Sequence, residues 1–90
     1  MDEEREDLER QMKDGSAVNT MINGKGWQKV VRPMLEARID ALVSEFLSAS
    51  GLEEFIRIQQ AIKAIQSLLE TIEVTVYSGK EAITELRANP

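Results

Sequence analysis

Any chemistry in this chain falls to carboxylates, lysines, arginines, hydroxyls and one tryptophan, because it contains neither histidine nor cysteine. Without imidazole no side chain titrates near neutral pH by default, and the commonest zinc, haem and nucleophile–base constellations are excluded. A carboxylate site for magnesium or calcium is what remains. Glu36 and Asp40 stand four residues apart, a spacing that carboxylate metal centres use on helices. Such centres complete their shell with Glu-x-x-His motifs from facing helices, and this sequence offers none. A solvated helix face is the better reading of that pair, and Glu53-Glu54 and Glu70/Glu73 read as a cap pair and surface charge. The sequence therefore predicts a non-enzyme with no metal and no cofactor.

Two further groupings bear on binding. The Gly24-Lys25-Gly26 triplet suggests a phosphate loop, but the Walker spacing and the Ser/Thr after the lysine are missing. Just beyond it, Trp27 with Lys25, Lys29 and Arg32 forms the only aromatic-plus-basic cluster, able to stack on a base or grip an acidic partner. A tryptophan closing the end of a helical pair, with solvated bases around it, is the plainer account. The net charge of −5 offers no positive field for a nucleic-acid backbone, so nucleic acid is not expected as a partner. Trp27, Lys29 and Arg32 are carried forward as contacts for a protein partner.

Acidity is concentrated at the start. Residues 1–14 hold seven acids against three bases, net −4, and residues 15–90 hold nine against eight, net −1. Asp2–Glu9 would suit a nucleic-acid mimic or a tail that docks on a basic protein. Arg5, Arg10 and Lys13 are interleaved with those acids, which favours a solvated helix, with Glu6–Arg10 and Glu9–Lys13 as i,i+4 pairs. No apolar run approaches the ~18–20 residues of a membrane span, and Met1 is followed by acids, unlike a signal peptide. An intracellular protein with no membrane contact is the expectation.

The elements that position these groups are helices. Residues 2–13 read as a short polar helix carrying only Leu8 and Met12, or as a tail. Asp14-Gly15-Ser16 reads as a turn, and Ser16 opens a brief helical turn with Val18, Met21 and Ile22. Asn23-Gly24-Lys25-Gly26 breaks the chain. From Trp27 to Ala49 the apolar residues keep helical spacing, with Pro33 predicting a kink between a turn at 27–32 and a regular helix to about Ser48. Ser50 and Glu53 fit a capping box, and the next helix runs from Gly51 to about Glu73. Its stripe of Phe55, Ile58, Ile62, Ile65, Leu69, Ile72 and Val76 alternates steps of three and four, the pattern of a seam against another helix. Val74-Thr75-Val76 and Ser78-Gly79 predict its end, where Tyr77 is either an exposed contact residue or, as is commoner for such a tyrosine, closes the helical core, and a short helix through Ile83 and Leu86 follows. An extended Val74–Tyr77 is the alternative.

The short loop at Ser50 forces the two long helices antiparallel. The predicted fold is thus all-α: a coiled-coil-like two-helix hairpin with short flanking helices. In domain terms, residues 1–15 form an acidic helix or tail and residues 16–90 a single hairpin domain. The seam sets Leu35, Ile39, Leu42 and Phe46 against Phe55, Ile58, Ile62, Ile65 and Leu69. The apolar arc of the second helix is wider than one neighbour requires, with Ala61, Ala64 and Leu68 in surplus, as are Val43 and Leu47 on the first. The terminal segments, through Ile22, Ile83 and Leu86, can cover part of that surplus, and with the small core of a 90-residue chain a second copy is expected to cover the rest.

Gly26-Trp27 ahead of Pro33-Met34-Leu35-Glu36, then Leu52-Glu53-Glu54-Phe55 with Arg57 and Gln59, then Ala61-Ile62-Lys63-Ala64-Ile65 with Leu68-Leu69, resembles small helical-hairpin proteins encoded by tailed bacteriophages. The resemblance covers residues 26–86 and implies a phage context, often among structural genes, and no catalytic residues. The function expected is a protein–protein interaction module, an accessory or assembly protein that self-associates or docks on a larger phage or host protein. The alternative is a small acidic inhibitor of a host nucleic-acid-binding enzyme.

Overall fold

The computed structural model describes residues 2–88. Three α-helices, α1 (Asp2–Ile22), α2 (Arg32–Ser48) and α3 (Leu52–Ala88), are joined by short connections, and a π-helical turn at Trp27–Val31 leads into α2. Among the described residues there is no strand. The chain divides into two compact units, Lys25–Glu70 and a second made of the residues up to Gly24 with those from Thr71 onward.

The first unit is the antiparallel hairpin that the sequence predicts. Lys25 and Gly26 are already helical, so the break is confined to Asn23-Gly24, where Gly24 N–H donates to the Met21 carbonyl at 3.0 Å. No residue there takes a positive φ. Pro33 does not end the helix. Lacking an N–H and crowding the carbonyl four residues back, it cannot follow a regular α-turn. The preceding turn widens instead, and Arg32 N–H donates to the Trp27 carbonyl across five residues. Helix α2 ends as Ala49 turns extended, its N–H donating to the Phe46 carbonyl at 3.3 Å. Gly51, not Ser50, then caps α3, because its carbonyl accepts the first helical bond, from Phe55 N–H at 3.0 Å. The predicted Ser50–Glu53 box is one residue out of register.

The second unit pairs α1 with the later part of α3, and here the structure corrects the sequence. Helix α1 runs through Asp14-Gly15-Ser16 without a turn, and α3 runs through Val74–Tyr77 and Ser78-Gly79 without a break. The short flanking helices are therefore one 21-residue helix and the continuation of a 37-residue one. Both glycines are buried, each against the other. A Cβ placed on Gly15 would lie 2.7 Å from the Gly79 Cα and 2.9 Å from the Thr75 carbonyl oxygen; one on Gly79 would lie 2.8 Å from the Gly15 Cα. The two backbones touch, and the dispersion gained by that approach offsets the ~1 kcal/mol that each helical glycine forgoes relative to alanine. Val76 and Ala82 are buried in the same unit, while Leu8, Met12, Ile22, Ile72, Ile83 and Leu86 are half-buried. Thr75 is helical, its hydroxyl donating to the Thr71 carbonyl at 2.7 Å.

The glycines separate cleanly by experiment. Gly15→Ala and Gly79→Ala place a methyl into backbone and are expected to destabilise by about 1–3 kcal/mol despite their higher helix propensity. Gly26 is helical with nothing within 4 Å of an added Cβ. There alanine is expected to stabilise by about 0.5–1 kcal/mol. Thermal denaturation followed by circular dichroism reads all three, and a gain at Gly15 would contradict the close contact.

Candidate functional site

The geometry offers surfaces rather than a pocket. On the hairpin, Leu42 and Ile58 are buried, and Leu35, Ile39, Phe55, Ile62, Ile65 and Leu69 are half-buried. Phe46 sits at the rim, its ring 5.1 Å from that of Phe55 in an edge-to-face arrangement at 64°. Such a pair contributes about 0.5–1.5 kcal/mol beyond its buried area and fixes the register of α2 against α3. Phe46 and Phe55 are thus brought together across the loop, with the remaining seam residues at successive turns behind them.

At the other end of the hairpin, the π-helical turn begins at Trp27, which is half-buried, while Lys25, Lys29 and Arg32 are exposed. The Arg32 guanidinium is not free: its Nε donates to Glu36 Oε1 at 2.9 Å. That bond occupies one base of the aromatic–basic cluster and gives Glu36 a partner within its own helix. Lys25 and Lys29, two residues either side of the tryptophan in sequence, are left as the exposed bases of the cluster. Among the described residues, no three histidine, cysteine, aspartate or glutamate side chains converge as a metal would need.

The acids of α1 are partly engaged locally. Arg5 meets Glu9 at 3.5 Å and Arg10 meets Asp7 at 2.6 Å, both pairs exposed. These replace the predicted Glu6–Arg10 and Glu9–Lys13 pairs. Asp2, Glu3, Glu4 and Glu6 are exposed along the first two turns, where negative charge complements the helix dipole. The clefts beside the glycine contact, lined by Met12, Gly15, Ser16, Val76 and Ile83, are mainly apolar and hold no charged side chain but Lys13 and Lys80. No described helix is long and apolar enough to cross a membrane.

Apolar exposure is the more distinctive property. Leu47 keeps 80% of its surface open, Leu52 74% and Met34 60%. Val43, Ile56 and Leu68 are also exposed. Val43, Leu47 and Leu68 come from the surplus arc that the sequence identifies. Leu52 and Ile56 fall outside both that arc and the seam periodicity, so neither signal marks them. Tyr77 is exposed on the side of an unbroken helix and closes no core.

Tyr77 carries a specific electrostatic signature. Its hydroxyl donates to Glu81 one turn on, and that hydrogen bond, the nearby carboxylate charge and slight desolvation all raise its pKa above the ordinary 10.0. The neutral phenol is the form held, so its contribution is full below pH 10.0 and lost as pH rises through the raised value. As the only tyrosine, it can be titrated by ultraviolet absorbance. The midpoint is expected above 10.0, with Glu81→Gln bringing it back towards 10.0. Equal midpoints in the two proteins would mean that no such bond forms in solution.

No family model, no curated protein and no solved structure matches this chain.

Proposed function

We propose that this chain is a non-catalytic protein–protein interaction module of a tailed bacteriophage, an accessory or assembly protein that self-associates or docks on a larger phage or host protein. The observation that carries the interaction reading is the imbalance between core and surface. Among the described residues the buried hydrophobic side chains are Leu42, Ile58, Val76 and Ala82, whereas twelve large hydrophobic side chains are exposed. A helical pair with so little interior gains stability by covering such side chains with protein. The phage context rests on the resemblance of residues 26–86 alone, and with it the virion or host cytoplasm as the place of action.

Light scattering on the purified chain over a concentration series tests this. A mass above that of a 10.1 kDa monomer, rising with concentration, is expected. A constant 10.1 kDa with full helicity would remove self-association and leave docking on another protein.

A second reading, an acidic inhibitor of a host nucleic-acid-binding enzyme, draws on the exposed acids of α1. Reversing Glu3, Glu6 and Asp7 to lysine would then abolish binding to such an enzyme in a strongly salt-dependent way. Under the first reading the same change leaves the oligomeric mass unaltered.

A further inference from the structure

One side of the hairpin is complementary to itself. The seam runs along Leu35, Ile39, Leu42 and Phe46 on α2. One residue on from each, 100° further round the helix, stand Glu36, Asp40, Val43 and Leu47. All four are exposed. On α3 the matching stripe is Leu52, Ile56, Gln59 and Lys63, the last three again one residue on from the seam positions Phe55, Ile58 and Ile62. These are exposed too. Because the helices are antiparallel, the same rotation carries both stripes to the same side of the hairpin. Both have steps of four, three and four, the spacing of a helix–helix seam that has no occupant in the single chain.

We infer that this side takes a second copy of the chain, related by a two-fold axis parallel to the helices, to give an antiparallel four-helix bundle. The inference rests on the self-association reading above and adds the surface and the symmetry. The register set by Phe46 opposite Phe55 puts Leu47 within two residues of the level of Leu52, ~3 Å along the axis, and Glu36 equally near the level of Lys63. The two-fold brings α2 of one copy against α3 of the other at the same height. Leu47 then meets the partner's Leu52, Val43 meets the partner's Ile56, Asp40 meets the partner's Gln59 and Glu36 meets the partner's Lys63. Apolar faces apolar at the loop end, an acid faces an amide further on, and an acid faces a base beyond that. Each pairing occurs twice, as an isologous interface requires. Glu36, already accepting from Arg32 at 2.9 Å, would be shared between that arginine and the partner's Lys63.

The opposite side fails the same construction. One residue before Phe46 and Phe55 lie Glu45 and Glu54, which the equivalent two-fold would set against each other. Arg38 and Arg57 share that stripe, but like charges directly opposed disfavour the pairing and weigh towards the first side.

Sedimentation velocity over a concentration series tests the inference, with circular dichroism on every variant. The unaltered chain is expected to reach the mass of two chains. Leu47→Asp with Leu52→Asp replaces side chains 80% and 74% exposed, so helicity should persist while self-affinity falls by about 100-fold or more. Leu68→Asp, on the opposite side, should leave the dimer intact. Lys63→Glu should weaken the dimer, and Glu36→Lys added to it should restore affinity. A dimer that survives Leu47→Asp/Leu52→Asp but is lost in Leu68→Asp would overturn this surface while leaving self-association standing. A trimer or larger species would overturn the two-fold. A monomer at every concentration would overturn the self-association reading itself.

Discussion

Two helices laid side by side can bury only the strip that each turns towards the other, and the chain meets that limit twice. In the hairpin the strip reaches full burial at Leu42 and Ile58; in the other unit it does so at Val76, Ala82 and the two glycines. Each solution is different in kind. The hairpin interdigitates large side chains and closes its loop end with an aromatic pair, whereas the second unit removes side chains altogether at Gly15 and Gly79 so that backbone meets backbone. The apolar residues that do not fit the strip remain outside it, exposed to whatever can cover them.

Hydrophobic periodicity made the hairpin legible: alternating steps of three and four from Phe55 to Val76, and a short loop before them, suffice to set two helices antiparallel. The same periodicity in fact continues. Ile72, Val76, Gly79, Ile83 and Leu86 keep those steps, and so do Leu8, Met12, Gly15, Asn19 and Ile22 on α1. Reading glycine only as a breaker hid this, because propensity registers its conformational freedom and not the space it vacates. Both seam glycines sit where a seam residue belongs and where a partner backbone approaches. The β-branched run at Val74–Val76 misled for a related reason, since burial of Val76 and the Thr75 side-chain bond outweigh a weak intrinsic preference. Pro33 was legible as a disturbance, but the form it took, a widened turn that spares the helix, depends on where the Trp27 carbonyl finds its donor.

Charge is used locally in this molecule. The ion pairs Arg5–Glu9, Arg10–Asp7 and Arg32–Glu36 are each made within one helix between exposed groups, a class whose contribution to stability is small. Their effect is to decide what remains available. Arg32 is held close to its own helix, which leaves Lys25 and Lys29 as the open bases near Trp27 in sequence. Two acids of α1 are held likewise, and four remain open along its first turns. Local pairing, invisible in a list of residue types, decides which of these charges remain open.

The division of the chain has a kinetic side. The hairpin unit is contiguous in sequence, from Lys25 to Glu70, whereas the other unit joins two segments separated by the whole of that hairpin. Contacts between residues near in sequence form early because little chain entropy is lost in closing them. Gly15 and Gly79 can meet only after a long loop has closed. If the hairpin folds first, the free chain that must close is reduced to short connections, and α3, already helical through Glu70, can extend into residues that α1 then captures. The contiguous hairpin thus closes at the lower entropic cost, and the glycine contact is the one whose closure depends on the rest of the chain.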